Sequence, residues 1–305
     1  MKIAVISYCE LCLPLVSYLR TTRNEVIVFL GSRIIRDKDT VSHFLANSGI
    51  HYIDQNQSNH SLYEWLGIQQ PGIAFVVGFN QLIHLDKLPA GLEIYNVHFG
   101  HLPQFRGPNP VFWQLKKGVS TIAISIHQLS ARYDAGPIAW KKEYPNEEFY
   151  SYGYVHQLFS HYLIEGVMHL VQQKENEKSI PTAIQEEQEA GYYNQPSLQD
   201  VLISWKMMSA REICNLVKAC NPWNYGAITT YNGFELKITD AEYSSSNSGS
   251  NELPGTIIDT TGGIYVSCRN NEYIKINILS VNEIIVPSRF ATNYGFAKNQ
   301  QFKDV

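Results

Sequence analysis

The chain has 305 residues, with 24 Lys and Arg against 28 Asp and Glu and a formal net charge of −4. A composition of 44% hydrophobic and 17% charged residues is that of a globular protein with room for one large domain or two. The acidic balance offers no electrostatic footprint for non-specific nucleic-acid binding, and no apolar run is long enough to span a bilayer.

The N-terminal MKIAVISY lacks the order of a signal peptide, so a cytoplasmic location is expected. Within it, KIAVI (Lys2–Ile6) reads as a strand, followed by a helical stretch with Leu11, Leu15 and Leu19 at helical spacing. Cys9 and Cys12 form a CxxC at this turn. The five cysteines offer no second close pair for a zinc site, and the surroundings are not those of a redox motif, so incidental thiols are expected. EVIVFLG (Glu25–Gly31) is the next strand. Val41, Phe44 and Leu45 then mark a helix before a short strand at HYI.

GIAFVVG (Gly72–Gly78) is nearly all apolar, as a parallel strand covered on both faces should be. LEIYNVH (Leu92–His98) follows, then a helix from about Asn109 to Lys117. TIAISIHQL (Thr121–Leu129) alternates as a strand, and PIAWKKEYP reads as an edge strand or hairpin arm. This rhythm implies an α/β sheet with right-handed crossovers. A long helix is expected from Ser151 to Lys174, with Val155, Leu158, Phe159, Tyr162, Leu163, Val167 and Leu170 on one face. The polar stretch from Lys174 to Ser197 has the composition of a linker.

After ISW (Ile203–Trp205), Ser209 and Glu212 form a capping box at the start of another helix. Beyond Pro222 the pattern is all-β. AITTY-NG-FELKI is a hairpin with an Asn232-Gly233 turn. GTIID, GIYVSC and YIKINILSV add short strands around a flexible loop at Ser244–Glu252, which suggests a small OB-like barrel. The expected division is therefore residues 1–200, an α/β domain with its polar linker, and residues 201–305, a small β-rich domain.

One stretch carries chemistry: YNVHFGHLPQFRGPNP, Tyr95 to Pro110. Residues two apart on a strand share a face, so Asn96 and His98 point the same way. They lie where a strand of an open α/β sheet ends, which is where such sheets bind ligands. Acyl transfer to an amine needs a donor for the developing oxyanion and a route for the amine's proton; Asn and His supply these. Asp134, in RYDAGPI after the next strand, is the nearest carboxylate able to support the imidazole.

These residues resemble the N10-formyltetrahydrofolate-dependent formyltransferases, which include methionyl-tRNA formyltransferase and the formyltransferases of nucleotide-linked amino sugars. The family's Asn-x-His matches at Asn96 and His98, its Leu-Pro-x-x-Arg-Gly at Leu102–Gly107, and its Asp-x-Gly at Asp134–Gly136. YYNQPSLQDVLISW and SAREICNLVKACNPWNYGA extend the likeness into the second domain. The resemblance implies a Rossmann-like catalytic domain and formyl transfer from N10-formyltetrahydrofolate to a primary amine. Asn96 and a protonated His98 would stabilise the oxyanion while Asp134 helps carry the proton away.

It also implies that the pterin lies against Gly78, Phe79, Asn80, Gln81, Leu82 and Ile83 and against the Arg132-Tyr133 loop. Arg106, Gly107 and His101 are then the acceptor-side residues. No metal and no nicotinamide cofactor are implied, since no GxGxxG follows the first strand. The chain departs from the family at Gly100-His101, where Ser-Leu is usual, which bears on the acceptor. Residues 201–305 hold nine Lys/Arg and nine Asp/Glu. The segment Gly31–Thr40 has only Arg33, Arg36 and Lys38 against Asp37 and Asp39. Both features make a small-molecule amine, an amino-sugar nucleotide or an amino acid or peptide, the expected acceptor in place of methionyl-tRNA.

Overall fold

The computed structural model describes residues 1–32, 38–58, 60–79, 81–244 and 252–305. Arg33, Arg36, Asp37, Asn80 and most of the Ser244–Glu252 loop lie outside the described residues. The chain divides into two compact units. One comprises Met1–Pro110, Ile122–Tyr144 and His156–Tyr193; the other comprises Val111–Thr121, Pro145–Val155 and Asn194–Val305.

The first unit is built on β1 (Lys2–Ser7), β2 (Glu25–Leu30), β3 (His51–Asp54), β4 (Ile73–Val77), β5 (Glu93–His98), β6 (Thr121–Gln128) and β7 (Ile138–Pro145), in the order β3-β2-β1-β4-β5-β6-β7. The strands from β3 to β5 pair in parallel. α1 (Leu13–Leu19), α2 (Lys38–Asn47) and α3 (Leu62–Gln69) form the crossovers. This is the α/β, Rossmann-like architecture. Ile73 to Val77 are all buried, because helices cover both faces of a parallel sheet. Phe75 stacks on Tyr95 with ring centroids 6.2 Å apart; burying a ring of this size contributes about 1.5–3 kcal/mol.

The structure adds two features. β6 runs antiparallel to β5, pairing Asn96 with His127 and His98 with Ser125. Its alternating pattern does not mark an exposed face: Ile122 to His127 are all buried. α3 was absent from the sequence reading. Its start is nonetheless written in the chain, as Ser61 accepts from the Glu64 amide and the Glu64 carboxylate accepts from the Ser61 amide, a reciprocal capping box.

α5 (Tyr152–Glu175) is the expected long helix. Val155, Phe159, Leu163, Val167 and Leu170 are buried, whereas Tyr162 is exposed and stacks on Tyr144 at 4.7 Å. On the same helix the His156 ring lies 5.6 Å from Phe99, and burial pushes its pKa down to about 4. The unfolded chain therefore binds this proton before the folded one does, so folding stability rises with pH between about 4 and 6.5, by roughly 3 kcal/mol at most. Thermal melts should show Tm falling from pH 7 to pH 5 in the native chain. The His156→Phe variant should flatten that slope.

The second unit holds α4 (Pro110–Lys117), α6 (Ala210–Cys220) and an antiparallel sheet. Its strands are β8 (Ala227–Tyr231), β9 (Phe234–Ser244), β10 (Ile257–Asp259), β11 (Ile264–Ser267), β12 (Tyr273–Val281), β13 (Ile284–Pro287) and β14 (Phe302–Lys303). The sheet order is β10-β11-β12-β9-β8-β14, with β13 also on β12. Asn232 and Gly233 have φ of 49° and 80°, as the tight hairpin turn requires. Trp205 is fully buried against Phe302 and donates to Thr229 Oγ1 at 2.9 Å. The last two short strands were not read from the sequence.

Candidate active site

β5 delivers Asn96 and His98, and the loop after β6 delivers Asp134. All three meet. Asp134 Oδ1 is 3.3 Å from Asn96 Nδ2 and 3.5 Å from His98 Nδ1. A fourth residue joins them, one that the sequence reading did not single out: His127 Nε2 lies 3.4 Å from the same carboxylate oxygen and 3.1 Å from Asn96 Nδ2. His127 is directly opposite Asn96 across the antiparallel β5–β6 pair, and opposite residues share a face of the sheet. The signal was a histidine at the end of a strand next to the Asn-x-His strand, but it has meaning only once that pairing is known.

The hydrogen bonds assign the ring protons. His127 Nδ1 lies 2.8 Å from the Gln128 carbonyl oxygen, which can only accept, so Nδ1 carries the hydrogen and Nε2 accepts from Asn96. His98 Nε2 is 2.7 Å from the Phe105 carbonyl oxygen and must donate to it, leaving Nδ1 toward Asp134. Burial pushes the His98 imidazole below its usual pKa, against the pull of the Asp134 charge. Burial thus disfavours the imidazolium at His98, while the Asp134 charge and the Phe105 oxygen favour it. Burial alone would raise the Asp134 pKa. The positive charge that His98 and His127 carry when protonated, and the Gly107 amide 2.9 Å from Oδ2, outweigh it and hold the carboxyl well below the usual range.

Asp134 has φ 52°, the left-handed conformation that Asp tolerates better than most residues. The loop from His98 to Gly107 is pinned on the other side by buried Ser125, which donates to the Gly100 oxygen at 2.7 Å and accepts from the Leu102 amide at 3.3 Å. A Cβ at Gly100 would stand 2.6 Å from His98 Nε2, so the departure at this position is coupled to where the imidazole sits. His101 faces Gln104 and Glu143, at 2.7 and 2.9 Å from its two nitrogens.

The remaining expected residues fall into two groups. Gly78 has φ 59° and accepts from the Tyr8 amide at 3.2 Å. Phe79 packs edge-on to Phe29 and closely over Gly31. Gln81 donates to Ser32 Oγ at 2.9 Å. Ile83 is in the core, so only its backbone can meet a ligand, whereas Leu82 and Tyr133 are exposed. Arg106 is buried and engaged within the protein: Nε donates to Gln185 at 3.0 Å, and Nη2 pairs with Glu187 at 3.0 Å. Arg132 pairs with the same Glu187 at 2.9 Å. A ligand reaching the buried Arg106 guanidinium would compete with Glu187, whereas the Arg132 side chain is largely exposed.

The segment read as linker is only partly one. Its residues 183–193 are fastened to both site loops: Arg106 donates to the Gly191 oxygen, Tyr193 to the Arg106 oxygen, and Ile138 exchanges two backbone bonds with Ala183. Phe105 stacks on Tyr193 at 5.3 Å. All five cysteines are free thiols, and burial pushes that of Cys12 up to about 12. Among the described residues no His, Cys, Asp and Glu side chains are grouped to hold a metal ion, and no helix is long and apolar enough to cross a membrane.

Residues 29–160 match the family described as Formyl transferase, and residues 197–291 match Formyl transferase, C-terminal domain. A methionyl-tRNA formyltransferase of Clostridioides difficile is 30% identical over 223 residues, covering 72% of this chain and 68% of the relative. That of Fervidobacterium nodosum is 28% identical over 210 residues, covering 69% and 66%. The chain thus spans about two thirds of the length of these relatives. Among solved structures, the N-formyltransferase from Helicobacter canadensis, in complex with folinic acid and dTDP-3-aminofucose, has the same fold. Its TM-score is 0.72 at 16% identity, over 90% of this chain and 98% of that one.

Proposed function

The chain belongs to the formyl transferase family, and on that premise we propose that it moves a formyl group from N10-formyltetrahydrofolate to a primary amine at the Asn96, His98 and Asp134 cluster. The observation that carries this reading is the convergence of Asn96, His98 and His127 on one oxygen of Asp134. The loops fit a planar, partly apolar donor. Exposed Leu82 and Tyr133 offer apolar contact, and backbone groups after β4 offer hydrogen bonds. When bound, the folate supplies the formyl carbon and leaves as tetrahydrofolate.

Asn96 Nδ2 then donates to the oxygen that gains negative charge, exchanging one of its present acceptors for it. His98 Nδ1 takes the proton that the attacking amine gives up, and the Asp134 carboxylate stabilises the imidazolium so formed. The same proton returns from Nδ1 to the departing nitrogen. His127, holding its hydrogen on Nδ1, keeps Asn96 oriented.

For the acceptor we favour a small-molecule amine in the cytoplasm. Gripping tRNA takes many free cationic contacts. In the second unit Lys275 pairs with Glu242, Lys218 and Lys237 donate to the backbone oxygens of Glu147 and Asn224, and Arg211 and Arg289 lie over the rings of Tyr243 and Phe290. Methionyl-tRNA is the second reading, favoured by the names of the relatives at 28–30% identity. Tetrahydrofolate release measured beside methionyl-tRNA, amino-sugar nucleotides and amino acids separates them. Turnover of a small amine, little changed by salt, is expected. Salt-sensitive turnover of methionyl-tRNA alone would select the second reading.

A further inference from the structure

Gln185 lies in the polar segment after α5, far in sequence from the reacting residues, yet its side chain is almost wholly buried. It makes three bonds. Its Oε1 accepts from Arg106 Nε at 3.0 Å, and its Nε2 donates to the backbone oxygens of Asp134 at 2.8 Å and Gly136 at 2.7 Å. Arg106 leads into Gly107, whose amide donates to Asp134 Oδ2 at 2.9 Å. The contacts close a ring: Gln185 to Arg106, along the chain to Gly107, across to the Asp134 carboxylate, and back through the Asp134 carbonyl to Gln185.

Each member of this ring needs the others. Asp134 sits at φ 52°, a conformation that persists in a non-glycine residue when its surroundings over-determine it. Gly136, two residues on, has no room for a Cβ against the Gln128 oxygen, so that loop also presses on the strand that carries His127. A glutamine is suited to the task because one planar amide both accepts and donates, and so joins a guanidinium on one loop to two carbonyls on another.

We propose that Gln185 is a positioning residue that sets the Asp134 carboxylate against His98 and His127 by bracing the two loops that hold it. The inference rests on the reading of Asp134 as part of the reacting site. Two variants of the full chain test it. Gln185→Met keeps the length and removes all three bonds. Gln185→Glu keeps an acceptor for Arg106 but turns a carboxylate toward the Asp134 and Gly136 oxygens, so a role limited to anchoring Arg106 would survive in it.

The readouts are kcat and KM for tetrahydrofolate release with whichever amine of the panel turns over, and the ¹⁵N imidazole signals of His98 and His127. Displacing a reacting group by about 1 Å costs about 10²-fold. Both variants should lose about that much in kcat, with KM for the formyl donor within about threefold of the native chain, and both imidazole signals should move. Native kcat in Gln185→Glu, or unmoved imidazole signals in Gln185→Met, would overturn the proposal. If the native chain releases no tetrahydrofolate with any amine, the formyl-transfer reading fails, and the imidazole signals alone decide the role of Gln185.

Discussion

Asp134→Asn is expected to lower kcat by about 10²–10⁴-fold, the range associated with losing a positioned acid–base group. Asparagine has the same shape and can still accept from the Gly107 amide, so the loop should keep its path. What it loses is the charge and, with its oxygen on the Gly107 amide, the acceptor for Asn96 Nδ2. Asp134 Oδ1 faces two imidazole nitrogens at 3.4 and 3.5 Å. Without a carboxylate there, a proton arriving at His98 Nδ1 has nothing to stabilise it in a buried site that already disfavours it. KM for the formyl donor should change little, because the carboxylate acts on the proton and not on the folate. Steady-state kinetics beside a thermal melt check this. A kcat within about threefold of the native chain would remove Asp134 from the reacting set.

Gly107→Ala should act through the backbone. Gly107 has φ 111°, and a Cβ there would overlap the carbonyl oxygen of Tyr193, a residue whose amide donates to the Arg106 oxygen. A side chain is thus disfavoured twice, by conformation and by contact. Strain and overpacking of this kind cost about 1–3 kcal/mol each, so Tm should fall by about 5–15 °C. Because the Gly107 amide is the one that holds Asp134 Oδ2, kcat should fall with it at temperatures where the variant is folded. A melt unchanged within about 2 °C would show that the loop has room it is not seen to have.

How much of this was legible in the chain differs by element. The buried parallel strands β1 and β4 announce themselves as unbroken apolar runs, because a strand covered on both faces has no polar side to show. The Asn232-Gly233 hairpin is legible for a different reason: few residue pairs accept positive φ at two adjacent positions. Asn96 and His98 could be placed on one face by the period of a strand, and Asp134 by its glycine loop.

His127 could not be found that way. Its approach to Asn96 follows from the antiparallel β5–β6 register, and a parallel neighbour would have shown a different residue. Gln185 is a harder case. Composition marks its surroundings as a linker, since Glu, Gln and Ala are the residues of solvated chain. Its burial arises only because two distant loops supply a guanidinium and two carbonyls for one amide. The balance at His98 was also beyond the sequence, since the burial of β5 pushes its pKa down while the Phe105 oxygen and the Asp134 charge push it up.

Formyl transfer to an amine at this cluster has a direct test. The direct measurement uses N10-formyltetrahydrofolate labelled with ¹³C in the formyl carbon, incubated with the native chain and the acceptor panel, and follows the label by NMR. The label should appear as a formamide carbon on one acceptor, in step with tetrahydrofolate, and both signals should grow about 10²–10⁴-fold more slowly in Asp134→Asn. Label released only as free formate, or label passed to no amine in the panel while the native chain is folded, would contradict that transfer.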